Sequence, residues 1–176
     1  MKKEREIATG QEVEKIICRL AEEIRVKMDL ENLALIGIRR RGVELAVRLQ
    51  GLLRKKTPGI PLGILDITLY RDDLSAVAKQ PVVRETRVRF DLDGKDIVLV
   101  DDVLFTGRTV RAALSELVDF GRPRSVKLLV LVDRDHRELP IQPDFTGKFI
   151  KTTIGQSVEV RLKEVDGEDK IMLVEL

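Results

Sequence analysis

Apolar residues recur every three or four positions between residues 11 and 28, which predicts an amphipathic helix. The apolar face of this helix comprises Val13, Ile16, Ile17, Leu20, Ala21, Ile24 and Met28. Thr9 and Glu12 have the spacing of a capping box, in which the side chain of each residue bonds the backbone N–H of the other. We therefore expect the helix to begin close to Thr9.

Four runs of apolar residues have the length of buried strands: residues 33–38, 62–70, 97–100 and 126–132. Helical spacing follows the first run as far as Leu53, and it recurs after the third run between Gly107 and Phe120. Strands that alternate with helices in this way form a parallel sheet with helices on both faces. The pattern therefore predicts an α/β fold.

Two further segments depart from the alternation of strands and helices. Residues 71–95 are polar and weakly periodic, which predicts a mobile loop or a hairpin arm. Residues 158–162 and 171–174 flank the dipeptide Asp166-Gly167, and they predict an antiparallel hairpin at the edge of the sheet. Because no repeat or low-complexity segment divides the sequence, we expect a single domain over residues 1–176.

The composition is that of a globular protein with its own core. The chain has 176 residues, of which 43% are hydrophobic and 35% charged, and a chain of about 150 residues buries about two-thirds of its unfolded surface. Cys18 is the only cysteine, so it forms no internal disulfide, and no Cys/His cluster could hold zinc. No segment approaches the roughly 20 apolar residues of a membrane span. We therefore expect a soluble, cytoplasmic protein.

Charge is distributed unevenly along the chain. The formal net charge is only +2, yet residues 1–60 carry 14 Lys and Arg against 9 Asp and Glu. A basic amino-terminal third suggests an anionic ligand or a nucleic acid, and a solvated surface of mixed charge explains it equally well.

The segment with the most chemistry follows the third apolar run. Asp101 and Asp102 come directly after the run, where a parallel sheet binds its ligands, and paired carboxylates can accept hydrogen bonds from the hydroxyls of a ribose. The sequence Thr106-Gly107-Arg108-Thr109 then begins a helix, whose free N–H groups and dipole attract phosphate. Together these features predict a ribose 5-phosphate pocket, whereas the acidic pair alone is also typical of a solvated turn. The GxxxxGK[ST] and GxGxxG motifs are absent, which argues against ATP hydrolysis and dinucleotide binding.

Residues 98–109 closely resemble the phosphoribosyl-pyrophosphate (PRPP) signature of the type I phosphoribosyltransferases. Residues 65–74, 132–134, 136–141 and 164–166 resemble one branch of that family, the PyrR proteins, and the similarity extends from about Gln11 to Val174. The resemblance implies a type I phosphoribosyltransferase fold with a flexible loop and a carboxyl-terminal β-hairpin. It also implies two functions: uracil phosphoribosyltransferase activity, and UMP-dependent binding to the leader RNA of pyrimidine operons.

The resemblance assigns each part of PRPP to particular residues. Asp101 and Asp102 would hold the ribose hydroxyls, and the 5-phosphate would lie against Thr106, Gly107, Arg108 and Thr109. The turn that begins at Arg39 corresponds to the pyrophosphate loop, which commonly holds a strained or cis peptide bond. Its candidate ligands are Arg40 and Arg41, of which Arg41 matches better because the family usually has a small hydroxyl residue in place of Arg40.

The same resemblance places Arg134 and the backbone of Val158 near uracil. Residues 71–89 would form the flexible loop that closes over PRPP, with Arg71, Asp72 and Asp73 among them. Mg²⁺ would arrive as its PRPP complex rather than in a preformed metal site. Asp135 stands where the family usually has glycine, so the backbone beside the uracil site is expected to differ.

The implied RNA surface departs further from the family pattern. Its candidate residues are Arg19, Lys27, His136, Arg137 and Lys148, although His136 fits a plain surface residue equally well. Where PyrR proteins have a threonine, a histidine and an arginine, this chain has Cys18, Glu22 and Gln142. A uracil salvage transferase that has lost leader-RNA binding is therefore an alternative, and a transferase for another base is a third. The resemblance further implies a homo-oligomer, a dimer or higher.

Overall fold

The computed structural model describes residues 3–67 and 86–176. The predicted flexible-loop residues Arg71, Asp72 and Asp73 lie outside these ranges. The elements are β1 (Glu4–Ala8), α1 (Gly10–Lys27), β2 (Leu33–Ile38), α2 (Arg41–Leu53), β3 (Leu62–Leu65), β4 (Asp96–Leu104), α3 (Arg108–Leu117), β5 (Ser125–Asp133), β6 (Phe145–Phe149), β7 (Gln156–Arg161), α4 (Lys163–Asp166) and β8 (Lys170–Glu175). No helix in the described ranges is long and apolar enough to cross a membrane.

Helix α1 begins with the capping box that the sequence predicts. The Thr9 backbone N–H donates to Glu12 Oε2 at 2.8 Å, and the Glu12 N–H donates to Thr9 Oγ1 at 3.4 Å. These two bonds satisfy N–H groups that have no partner within the helix. The helix buries most of its predicted apolar face, namely Val13, Ile17, Leu20, Ala21 and Ile24.

The central sheet has five strands in the order β3-β2-β4-β5-β6, and every neighbouring pair is parallel. Helices α1 and α2 pack on one face with Leu35, Val98 and Val100, whereas α3 packs on the other with Ile36 and Leu99. Successive residues of a strand point to opposite faces, which explains why β2 and β4 are apolar at almost every position. The structure confirms the predicted α/β fold with helices on both faces.

The carboxyl-terminal hairpin lies elsewhere than the sequence predicts. Strands β7 and β8 do pair antiparallel, but β8 also pairs with β1, and the three form a separate sheet in the order β1-β8-β7. The prediction of a hairpin at the edge of the main sheet was therefore wrong. The edge position is taken by β6, whose residues pair with β5 between Leu129–Phe145 and Asp133–Phe149.

Ion pairs attach this second sheet to helix α2. Arg48 on α2 donates to both oxygens of Glu164 at 2.9 and 2.6 Å, and to both oxygens of Asp169 at 2.8 and 2.7 Å. These hydrogen bonds from Arg48 hold the pKa values of both carboxyls below their ordinary range. The attachment therefore depends on ionised carboxylates.

We expect acid to weaken this attachment. A carboxyl whose pKa is lowered by folding stabilises the fold above its unfolded pKa of about 4, and the contribution is lost as the pH falls through the folded pKa. Chemical unfolding at intervals from about pH 6 to pH 2.5 should show this loss, and Asp169→Asn should reduce it. An equal pH dependence in the variant and the parent would contradict the assignment.

Candidate active site

The central sheet opens at the carboxyl end of β2. Strands β2 and β4 pair as far as Gly37 and Val100, whereas β4 continues to pair with β5 as far as Leu104 and Asp133. The chain also leaves β2 for β3 on one side and returns to β4 on the other, so the direction of winding reverses here. Such a switch point is the usual ligand site of an open α/β sheet. A cavity of about 470 Å³ lies at this opening.

Asp101 and Asp102 line the cavity from within β4. The sequence places them beyond the end of the strand, and this was wrong because pairing with β5 carries β4 on to Leu104. Asp101 is 6% exposed, and its Oδ1 accepts the Asp102 backbone N–H at 2.9 Å. Asp102 is half-buried. The pair thus combines a fixed carboxylate with one that is more accessible to a ligand.

The predicted anion cradle faces the same cavity. Thr106, Gly107, Arg108 and Thr109 all line it, and α3 begins at Arg108. Gly107 is the N-cap residue with φ of 92°, a left-handed conformation that glycine adopts without strain. Gly107 has no side chain that could cap this helix end, although Thr106 Oγ1 accepts the Arg108 N–H at 3.3 Å. The other N–H groups of the first turn and the positive end of the dipole can receive an anion.

The turn after β2 lines the same cavity as the cradle. A cis peptide bond joins Arg39 and Arg40, as the family resemblance implies for the pyrophosphate loop. Arg40 is exposed, whereas Arg41 donates from Nε and Nη2 to the two carboxylate oxygens of Asp166 at 3.0 and 2.7 Å. This ion pair lowers the pKa of Asp166 and raises that of Arg41. All three arginines of the turn line the cavity.

Arg134 and Val158 also border the cavity. Arg134 is only 5% exposed; its guanidinium lies 3.9 Å from the centre of the Phe105 ring and donates to the carbonyl of Gln156. Burial lowers the pKa of this arginine. Its Nε has no hydrogen-bond partner among the described residues. A buried donor without a partner is costly, which suits a position that a polar ligand completes.

Two non-glycine residues beside Arg134 adopt a left-handed backbone conformation that is usual for glycine. Asp135 and His136 have φ of 68° and 60°, and a left-handed conformation costs an ordinary residue roughly 1–2 kcal/mol. Asp135 thus adopts a shape that the family glycine fits more easily. His136 Nε2 donates to the Thr152 carbonyl at 2.7 Å, and its ring meets Phe105 edge-on. His136 therefore supports the wall of the cavity.

The structure divides the predicted RNA-binding residues between two places. Arg19 donates to the Gly147 carbonyl, and Lys27 lies 5.5 Å from the centre of the Phe145 ring, so both lie where α1 meets β6, the strand that contains Lys148. His136 and Arg137 instead lie in the loop after β5.

Arg137 is turned inward rather than towards a surface groove. Its side chain is 14% exposed, and it donates to Asp133 Oδ2 at 2.7 Å and to the carbonyls of Phe105 and Ile141 at 2.9 Å each. The Glu138 N–H in turn donates to the Thr106 carbonyl at 2.9 Å. This arginine therefore braces the loop that carries the anion cradle, and a substitution of Arg137 does not isolate RNA binding.

We expect Arg137→Ala to lower the free energy of unfolding by about 3 kcal/mol, because it leaves a buried carboxylate and two carbonyls without their donor. Binding of a phosphate-bearing ligand should weaken as well, since the cradle loses its brace. Urea unfolding and calorimetric titration check both effects. Arg111→Ala, an exposed arginine on α3, is the matched control. Equal unfolding midpoints for the two variants would contradict this role.

Comparison with known proteins decides the family. The family described as "Phosphoribosyl transferase domain" matches residues 4–164. This chain is a phosphoribosyltransferase family member. Within that family it is similar to "Bifunctional protein PyrR" of Deinococcus deserti, with 54% identity over 172 residues, 97% of this chain and 94% of the relative. The protein of the same name from Thermus thermophilus is 52% identical over 172 residues, 97% of this chain and 95% of the relative.

Solved phosphoribosyltransferases share the fold. A hypoxanthine phosphoribosyltransferase from Staphylococcus aureus superposes with a TM-score of 0.66 at 17% identity, covering 85% of this chain and 80% of its own. A purine phosphoribosyltransferase from Pyrococcus horikoshii gives 0.60 at 27% identity, covering 82% and 86%. The type I fold expected from the sequence is confirmed.

Among the residues without a role in the sequence-based assignment, Phe105 and Ser157 line this cavity and Asp166 lines an adjoining one. Phe105 lies within the PRPP signature, and Asp166 lies in the stretch 164–166 that resembles PyrR proteins. Both residues could therefore have been selected as site candidates from the sequence. Only the three-dimensional contacts show what they do. No group of three or more His, Cys, Asp or Glu that could hold a metal ion occurs in residues 3–67 or 86–176.

Proposed function

We propose that the protein transfers the phosphoribosyl group of PRPP to uracil, forming UMP and pyrophosphate. The observation that carries this proposal is that the carboxylate pair, the anion cradle and the arginine turn all line one cavity. PRPP is a ribose 5-phosphate with a pyrophosphate at its anomeric carbon. It therefore needs acceptors for the ribose hydroxyls, donors for the 5-phosphate and positive charge for the pyrophosphate. The relatives named bifunctional PyrR proteins support the assignment.

Each wall of the cavity has a separate task in this reaction. Asp101 and Asp102 accept hydrogen bonds from the ribose hydroxyls, and the residues 106–109 donate to the 5-phosphate. PRPP enters as its Mg²⁺ complex. Arg41 stabilises the negative charge that develops on the pyrophosphate as it departs. Arg134 and the backbone of Val158 orient uracil, so that its nitrogen faces the anomeric carbon in a transition state of oxocarbenium character.

A base panel tests the proposal. Purified protein is incubated with PRPP, Mg²⁺ and either uracil, hypoxanthine or guanine, and nucleotide and pyrophosphate are quantified. We expect equimolar UMP and pyrophosphate from uracil, with kcat/KM for the purines at least about 100-fold lower because the buried donors of the uracil site stay unpaired. A preference for a purine would overturn the uracil assignment and support a transferase for another base.

The second proposed function is UMP-responsive binding to pyrimidine-operon leader RNA. Its surface is the junction of α1 and β6, where Arg19, Lys27 and Lys148 can contact phosphates. Glu22 on the same helix is paired with Arg25, which offsets the negative charge that faces the RNA. Cys18 and Gln142, which replace the family's threonine and arginine, are both exposed.

Filter binding to a leader hairpin and to a scrambled hairpin, at fixed salt with and without UMP, tests this surface. We expect UMP-enhanced selective binding, and Lys27→Ala should weaken it and reduce the salt slope by about one. Lys55→Ala, an exposed lysine after α2, is the control. Binding no better than to the scrambled hairpin would support a salvage transferase that has lost its RNA target.

Both proposed activities use cytoplasmic substrates, and we propose that the protein acts there as a homo-oligomer, a dimer or higher.

A further inference from the structure

Arg41 stands between two cavities. It lines the 470 Å³ cavity of the proposed active site, and it also lines a second cavity of about 380 Å³. Asp102 and Val158 border both cavities as well, whereas Asp166 borders the second alone. Asp166 therefore holds the Arg41 guanidinium from the side away from the proposed substrate.

The contact fixes the plane of the guanidinium. Asp166 takes the Nε and Nη2 protons of Arg41 with its two oxygens, at 3.0 and 2.7 Å, and such a bidentate pair has little rotational freedom. In the described residues nothing accepts a hydrogen bond from Nη1 of Arg41. One edge of the guanidinium is thus occupied, and another is left for a ligand.

Asp166 is itself held in place. Its Oδ2 also accepts the Leu162 backbone N–H at 2.8 Å, which closes the turn of α4 between β7 and β8. Because β7 contains Ser157 and Val158, the same turn joins the proposed uracil wall to the arginine turn. The carboxylate acts as a rigid support rather than as a mobile partner.

We infer that Asp166 is a positioning residue that aims Arg41 at the pyrophosphate of PRPP. The inference rests on the proposed transferase function and adds a residue to it. Arg41 can bind pyrophosphate through its Nη1 edge while it stays paired with Asp166. Because the side chain is already ordered, substrate binding does not have to supply the entropic cost of ordering it. The effect is confined to ligands with a pyrophosphate: PRPP and pyrophosphate itself depend on Asp166, whereas UMP does not.

The chain contains a matched control for this pair. Arg48 lies on the same helix as Arg41 and also makes a bidentate pair, donating from Nη1 and Nη2 to the two oxygens of Asp169 at 2.8 and 2.7 Å. Asp169 also accepts a backbone N–H, from Lys163 at 2.7 Å, as Asp166 does from Leu162. Neither Arg48 nor Asp169 borders either cavity. Asp169→Asn therefore removes a bidentate ion pair of α2 away from the proposed substrate, while Arg48 keeps its contacts with Glu164.

The experiment compares Asp166→Asn, Asp166→Glu and Asp169→Asn with the parent. Calorimetry gives Kd for Mg²⁺-PRPP and for UMP, kinetics give KM for PRPP and uracil, and thermal unfolding reports the fold. We expect Asp166→Asn to raise Kd and KM for PRPP at least about tenfold, the effect of losing a hydrogen bond to a charged group. Kd for UMP and KM for uracil should stay within about twofold of the parent values. Asp166→Glu should restore part of the loss, and Asp169→Asn should change Tm alone.

Two results would overturn the inference. Unchanged PRPP binding in Asp166→Asn would show that Arg41 needs no support, and an equal loss of PRPP and UMP binding would show a structural role. The parent separates these results from a failure of the proposed function: a parent that binds neither PRPP nor UMP would remove the transferase assignment itself. A parent that binds both makes either result specific to Asp166.

Discussion

Asp102→Asn is expected to lower kcat/KM for UMP formation at least about 100-fold while leaving the free energy of unfolding within about 1 kcal/mol of the parent. Asp102 is half-buried at the edge of the cavity, and Asn retains its size but supplies only one acceptor oxygen and no charge. A ribose whose hydroxyls donate to this carboxylate loses that contact when the oxocarbenium charge develops nearby. Steady-state kinetics and urea unfolding measure the two effects separately.

The control for this substitution is Asp119→Asn, which removes an exposed carboxylate beyond the end of α3. It should leave both kinetics and stability unchanged, since surface substitutions are usually within about 0.5 kcal/mol. Full activity in Asp102→Asn would show that the ribose binds elsewhere. A large loss of stability in Asp102→Asn would show instead that the residue supports β4, in the way that the buried Asp101 does.

Gly42→Ala is expected to reduce both stability and transfer, because α2 approaches β4 too closely for a side chain. A Cβ at position 42 would lie 2.4 Å from the Val100 carbonyl oxygen and 3.1 Å from Asp101 Cα. Both contacts are with backbone, which cannot rotate away, so α2 or β4 must move. Such overpacking costs about 1–3 kcal/mol, and the movement would displace the carboxylate pair from the arginine turn. Urea unfolding and kcat/KM for UMP formation measure the two losses.

The same substitution at Gly51, on the same helix, is expected to raise stability rather than lower it. A Cβ at position 51 has nothing within 4 Å, so Gly51→Ala should raise the free energy of unfolding by about 0.5–1 kcal/mol through its helix propensity. The two substitutions are chemically identical and differ only in what surrounds them. If Gly42→Ala were as stable as Gly51→Ala, the close approach of α2 to β4 would be wrong.

Features with a local cause were predictable from the sequence. The capping box at Thr9 and Glu12 depends on residues three positions apart, and the buried strands β2, β4 and β5 depend on runs of adjacent apolar residues. The cradle at residues 106–109 likewise needs only a short turn and a helix start. Each of these patterns lies within one stretch of chain, so the sequence displays it directly.

Features that join distant segments were not predictable. Strand β1 is polar and short, and it exists because it pairs with β8 at the other end of the chain. The sequence of β6, with Thr, Gly and Lys between two Phe, is typical of a loop, and it forms a strand because it pairs with β5. The roles of Arg41 and Arg137 also depend on partners from other elements, so their charge was visible in the sequence and their contacts were not.

The sheet β1-β8-β7 brings together the first and the last strands of the chain. During synthesis, β1 has left the ribosome long before its partner β8 has been made, since chains grow from the amino terminus. A nascent chain that stops before residue 170 already contains the carboxylate pair and the cradle, but Val158 on β7 lacks the strand that holds it. The wall proposed to receive uracil is therefore completed only when β8 has been made, after the carboxylate pair and the cradle.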